Sequence, residues 1–159
     1  MAEYGIKQMW PDEVTDYSAT AKNGIGVLRF EGDKVYRYIK THSDLTGDAL
    51  AVRNVVSLIT EATANTPDWI VTNKSAGVVT GAGVAVSVIP ESYYGWIQVG
   101  GIANVVGDGS VAFGEAVVPN GDGTVDTMAA GEEHEVIGFA VTDDVATTYY
   151  VDIKLKGLI

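Results

Sequence analysis

The chain contains no cysteine, which excludes disulfide stapling, thiolate metal sites and cysteine nucleophiles together. Proline is scarce, at four residues, whereas glycine is abundant, at nineteen in 159. With no Gly-X-Y period and many Val and Thr, that balance excludes a collagen-like chain and points to tight turns between short strands. Charge is sparse too: charged residues make up 19% against 47% hydrophobic, the proportions of a folded domain rather than a disordered one. Cations are the scarcer sign, ten Lys and Arg against 21 Asp and Glu, for a net charge of −11. Such a field repels nucleic acid and anionic membranes unless a local basic patch overrides it. The closest grouping, Lys34, Arg37 and Lys40, shares its strand pattern with Glu31 and Asp33, so direct contact with nucleic acid is not expected. No uninterrupted apolar run approaches 18 residues, and the opening MAEYGIKQMWPDE lacks a basic segment followed by an apolar one. The expectation is a protein made without an export signal that does not span a membrane.

What is present is organised around Gly83 to Gly101, GVAVSVIPESYYGWIQVGG. Val84 and Val86 alternate with small or polar neighbours. Pro90, Glu91 and Ser92 break the run, and Tyr93 to Val99 resumes an aromatic, β-branched strand that Gly100 and Gly101 close, the pattern of a hairpin. The order returns in GFAVTDDVATTYYVDIKLKG, where Gly138 follows Gly83 by 55 positions and Gly157 follows Gly101 by 56. One unit used twice is the reading. The fold class expected is mainly β, a small antiparallel barrel or sandwich built from two related units, at 23–106 and 107–159, behind an extended arm at 1–22.

In that arm Tyr4, Ile6, Met9, Trp10 and Tyr17 carry apolar area among Asp12, Glu13 and Asp16. It reads either as a solvated tail or as a segment that orders against a partner or its own domain. From Gly26, VLRF, EGDK and VYRYIK describe a hairpin about a four-residue loop. Val35, Arg37 and Ile39 face one way and Tyr36, Tyr38 and Lys40 the other, so one face is mixed, as at an edge or interface. Val55, Leu58, Ile59 and Ala62 fall at helical spacing behind Asn54 as a cap. Val55-Val56 and Ile59-Thr60 are equally good strand residues, and both readings stand. The spacing from Gly47 to Gly114, 67 rather than 55, gives the first unit about a dozen extra residues, placed near 55–65.

No catalytic, cofactor-binding or metal-ligating residue is nominated. His42 and His134 lie in polar loops without a second nitrogen ligand nearby in sequence, and no G-x-S-x-G elbow is present. Asn120 to Asp126, NGDGTVD, fails the spacing of a calcium loop and suits a hairpin turn. Asp143-Asp144 is the tip of the second hairpin. Gly77, Gly81 and Gly83 lead into a strand rather than a phosphate-binding helix. Asn73-Lys74-Ser75 matches a glycosylation sequon by composition alone. The aromatics Tyr93, Tyr94, Trp96, Tyr149 and Tyr150 are expected in fold or subunit contacts. A rival arrangement uses Tyr36, Tyr38, Tyr93, Tyr94, Trp96, Tyr149 and Tyr150 as an exposed stacking platform for a sugar.

Tyr94-Gly95-Trp96-Ile97-Gln98-Val99 followed by Gly101-Ile102-Ala103-Asn104-Val105, with GVAV before and VIGFAV after, resembles the capsid decoration or cement proteins of tailed bacteriophages. Gly32-Asp33-Lys34 and Tyr36-Arg37-Tyr38 resemble the opening of such chains, and the likeness spans roughly residues 24–155. It implies a non-enzymatic protein, often a homotrimer, made in the host cytoplasm and bound to the outer surface of the assembled head. There it clamps neighbouring subunits of the major capsid protein. On that reading Tyr4, Ile6, Met9, Trp10 and Tyr17 make the capsid contact. The alternative is a glycan- or receptor-binding β module of a fibre or surface protein.

Overall fold

The computed structural model describes residues 10–59, 69–74, 78–144 and 149–157. Twelve strands follow one another among them: β1 (Leu28–Glu31), β2 (Lys34–Thr41), β3 (Ala49–Leu50), β4 (Val55–Ile59), β5 (Ile70–Thr72), β6 (Val78–Ala85), β7 (Ile89–Pro90), β8 (Tyr94–Val106), β9 (Ala116–Pro119), β10 (Val125–Thr127), β11 (Gly138–Ala140) and β12 (Tyr150–Lys156). The expected mainly β architecture is present. Ten strands form one sheet in the order β1-β2-β5-β4-β6-β8-β12-β11-β9-β10, and β3 pairs separately with β7. An additional β2–β8 pairing makes a ring of hydrogen bonds through β2, β5, β4, β6 and β8, which does not amount to a closed barrel. Beyond β8 the sheet continues through β12, β11, β9 and β10, and a single parallel bridge from Val125 to Gly107 returns β10 to the end of β8.

The long strand β8 is common to both parts. Its first half pairs with β2 and β6, its second with β12. Ile97 and Val99 enter one core cluster with Ile39, Val56, Val71 and Ile89, while Ala103 and Val105 enter a second with Val117, Val151 and Ile153. Val84, the register partner of Gln98, belongs to that second cluster, so the side of β8 that faces it is even-numbered before Gly100-Gly101 and odd-numbered after. Gly100 and Gly101 do not close the strand, as the sequence suggested, but bend it. Gly101 sits at φ 87, and a Cβ there would stand 2.6 Å from the Asp33 carbonyl oxygen, so only glycine lets the β1–β2 turn approach so closely. The buried Gln98 amide donates to the carbonyls of Gly100 (3.0 Å) and Ile102 (2.9 Å), satisfying backbone groups at the bend.

One open reading is settled and two local expectations are corrected. Residues 55–59 form a strand rather than a helix, because Val55 and Val56 enter different core clusters on opposite sides of the chain, which the two-residue period allows. The helical spacing at Ala62 lies outside the described residues, and Asn54 accepts the Ala51 amide in a turn (2.8 Å) instead of capping a helix. The one helical segment described is the 3-10 turn Gly121–Gly123 between β9 and β10. Strand β2 is central, flanked by β1, β5 and β8, and buries Tyr36, Arg37, Tyr38 and Ile39 on both faces. Its mixed composition therefore reflects two buried faces, with the Arg37 guanidinium 3.7 Å from the Trp69 ring, where the ring face attracts the cation. The β1–β2 loop is also tighter than expected: Glu31 pairs with Lys34 about Gly32-Asp33, with Gly32 at φ 60.

Candidate interaction surfaces

Tyr38 and Trp96 are register partners across β2 and β8, so their rings share the outward side of the strand pair. They meet edge to face at 5.0 Å, and Tyr94 stacks on Tyr38 at 6.3 Å. Left bare, this row would expose a large aromatic surface, but Trp96 and Tyr38 are 0% and 1% exposed. The cover is the chain's own segment from Trp10 to Asn23. Trp10 meets Trp96 edge to face at 5.2 Å, and Val14 packs on the same cluster. Ser18 and Tyr94 exchange both backbone hydrogen bonds (3.0 and 2.9 Å), and the Lys22 amide donates to the Tyr38 hydroxyl at 3.1 Å.

The anchor of this strap is Asp12. Its buried carboxylate accepts from Trp96 Nε1 (3.2 Å) and Asn23 Nδ2 (2.9 Å), while its carbonyl accepts from Arg29 Nη1 (2.6 Å). Arg29 in turn pairs with Glu31 and lies 5.7 Å from the Trp96 ring and 5.8 Å from that of Trp10. A buried carboxylate supplied with hydrogen bonds holds the segment in one geometry, because leaving those donors unpaired is costly. Burial also raises the Tyr36 and Tyr38 hydroxyl pKa values above the ordinary value near 10; the Glu31 charge adds to the shift at Tyr36.

The nominated residues fall into three places. Tyr4, Ile6 and Met9 lie outside the described residues. Trp10 is spent on its own domain, and Tyr17 is half exposed with its edge on Tyr93 at 5.9 Å. Tyr93, Tyr94 and Trp96 gather at the start of β8, whereas Tyr150 pairs with Val106 at its far end. The two Tyr pairs therefore serve different regions. Tyr149 and Tyr150 are 50% and 40% exposed, with the Arg53 guanidinium 4.6 Å from the Tyr150 ring. The sugar platform is overturned at Tyr36, Tyr38 and Trp96, whose rings are buried. His42 Nδ1 accepts the Asp44 amide, and His134 pairs with Glu135.

Asp12, Arg29 and an uncovered outward face escaped the sequence reading. Past the bend, the even-numbered Ile102 and Asn104 of β8 are both exposed. Ile102 pairs with Lys154, Lys154 with Phe139 and Phe139 with Ala116, so one row crosses β8, β12, β11 and β9. Alternation past the bend was the available signal; which half would be covered depended on the strap. Among the described residues, no group of three or more His, Asp or Glu is placed to hold a metal ion.

No protein-family model matches the chain, and no curated protein matches it. Among solved structures, the chain is similar to the head fiber gp8.5 N base of bacteriophage phi29, with a TM-score of 0.50 at 14% sequence identity. The likeness covers 77% of this chain and 94% of that one, and what it shows is a shared fold.

Proposed function

We propose that this chain is a non-enzymatic structural protein of a tailed-phage head, bound to the outer surface of the assembled shell. There it stabilises contacts between major capsid protein subunits as a homo-oligomer, a trimer by the resemblance drawn from its sequence. The observation that carries the reading is the fold shared with a head fiber base over nearly all of that base. The net charge of −11 suits a position away from packaged nucleic acid. The mechanism is mass action. A protein that binds the assembled shell and not its free subunits stabilises it by about 2.7 kcal/mol per site at 100 times Kd, repeated over many copies.

The strap refines the arm assigned to the shell. Because Trp10 packs on Trp96, it leaves the set assigned to the shell, and the half-exposed Tyr17 stays in it with Tyr4, Ile6 and Met9. A chain cut before Trp10 keeps its fold and loses most of its binding to shells. One cut after Lys22 loses Asp12 as well and unfolds more easily.

A second reading, a glycan- or receptor-binding module on a head fibre, is favoured by the exposed Tyr149 and by Tyr150 beneath Arg53, an aromatic and cationic composition suited to recognition. Copy number separates the two. Quantitative mass spectrometry of purified particles should give about one chain per shell subunit or per local threefold set. A handful of copies would favour the fibre, and absence from particles would overturn both.

A further inference from the structure

The two halves of β8, on either side of the bend at Gly100-Gly101, differ in what covers them. On the first half, a segment of this chain covers Trp96 and Tyr38. On the second, Ile102 is 46% and Phe139 50% exposed, joined in one row through the stem of Lys154. Single exposed apolar residues are ordinary, but a contiguous row on a regular sheet face marks an interaction surface.

Along β12 the outward residues run Tyr150, Asp152, Lys154 and Lys156. One acid and two cations thus alternate beside apolar neighbours, with Asn104 Nδ2 holding Asp152 Oδ1 at 2.7 Å. Two of the ten cations of a strongly acidic chain stand on this face, and the acid that would meet them is supplied by the same face of another molecule. Copies facing across a twofold axis at Ile153 bring Lys154 of each against Asp152 of the other, with Ile102 and Phe139 on the strands either side. Such self-complementarity is the mark of an interface between identical chains.

We propose that the outward face of β8, β12 and β11 is a self-association surface whose occupant is a second copy of this chain. The proposal concerns a pairwise contact between two copies, distinct from the trimer of the functional reading, and does not depend on the shell. Three strands at about 4.8 Å and seven residues at about 3.3 Å give a face of roughly 15 by 20 Å. That is under half the ~800 Å² per partner of a standard interface. Association by this face alone is therefore weak, with Kd on the order of 10 μM, and becomes decisive where an assembly holds copies close together.

The test is sedimentation equilibrium of the full chain at about 0.15 M salt, where the repulsion between two copies of net charge −11 is screened, up to about ten times that Kd. The expected result is a concentration-dependent rise above the monomer mass that weakens about tenfold in Phe139→Ser. Lys154→Asp weakens it comparably, and the exchange of charges in Asp152→Lys/Lys154→Asp restores it. Phe113→Ser, at an exposed aromatic outside the row, leaves it unchanged. All of these positions but Asp152 are exposed, and circular dichroism confirms that each variant is folded. A wild-type chain that stays monomeric across the range overturns the proposal, as does one whose association is untouched by Phe139→Ser and Lys154→Asp. Neither result bears on whether the chain binds shells, which is read from particle copy number.

Discussion

On β8, Trp96 is fully buried and Ile102, six residues further on, is nearly half exposed; between them lies the bend at Gly100-Gly101, where Gly101 sits at φ 87 and the pairing with β2 shifts register. The two halves also differ in the strap, held by Asp12 over the first half and, among the described residues, without a counterpart over the second. Covering a sheet face is a separate act from forming the sheet, and here the chain does it for one part of the molecule only.

The largest break in that comparison comes from Trp96→Ala. It removes the centre of the covered cluster and leaves the Asp12 carboxylate short of a donor, so urea unfolding should show a loss of about 3–5 kcal/mol. A loss under about 1 kcal/mol would mean that the strap does not bury this ring in solution. Next comes Asp12→Ala, which leaves the Trp96 indole N–H and the Asn23 amide without their acceptor. Its expected cost is about 1–3 kcal/mol. Asp12→Asn keeps an acceptor oxygen and should fall between the variant and the native chain. If Asp12→Ala is silent, the anchor is the packing of Trp10 and Val14 rather than the carboxylate.

Alkaline titration sharpens the contrast without altering the sequence. Burial raises the pKa of Tyr36 and Tyr38, so in the folded state both hydroxyls should ionise above the ordinary value near 10. The unfolded chain releases those protons first. Stability is therefore unaffected below the unfolded pKa and is lost as pH rises through the window between the unfolded and folded values. Difference absorbance of tyrosinate should show two late-titrating groups in the native chain, and Tyr38→Phe should remove one of them. Ionisation of all eight tyrosines in a single step would show that the covered face is open to solvent.

Much of this fold was legible in the sequence, for identifiable reasons. Glycine and the Tyr-Tyr pairs mark β6, β8, β11 and β12 where they occur, because turns and strand entries are local matters. The β9–β10 turn at Asn120-Gly121 was equally plain. Val55 to Ile59 was ambiguous because Val and Ile suit a strand while their spacing suits a helix, and only burial on two sides settled it. The mixed pattern of β2 suggested an edge. In fact Arg37 is buried against Trp69, and Tyr38 beneath residues more than a dozen positions earlier in the chain, contacts with no local signature. For the same reason Asp12 looked like one acid among many, since its partner Trp96 lies 84 residues away.

The smallest effect is expected on the open half, and it decides what the comparison means. Ile102→Thr keeps a β-branched residue on β8, so strand propensity is preserved, and it trims apolar surface that the monomer leaves largely in water. In dilute solution its stability should lie within about 0.5 kcal/mol of the native chain, against the several kcal/mol expected at Trp96 on the other half of the same strand. That ratio would mark the half beneath the strap as the one the isolated molecule covers for itself. A cost of about 2 kcal/mol or more at Ile102 would instead show that the second face is also covered in the isolated molecule. If that cost then vanished on dilution, the cover would be another copy of the chain. If it persisted at every concentration, some part of the same chain would lie there, and the two halves of β8 would be finished in the same way.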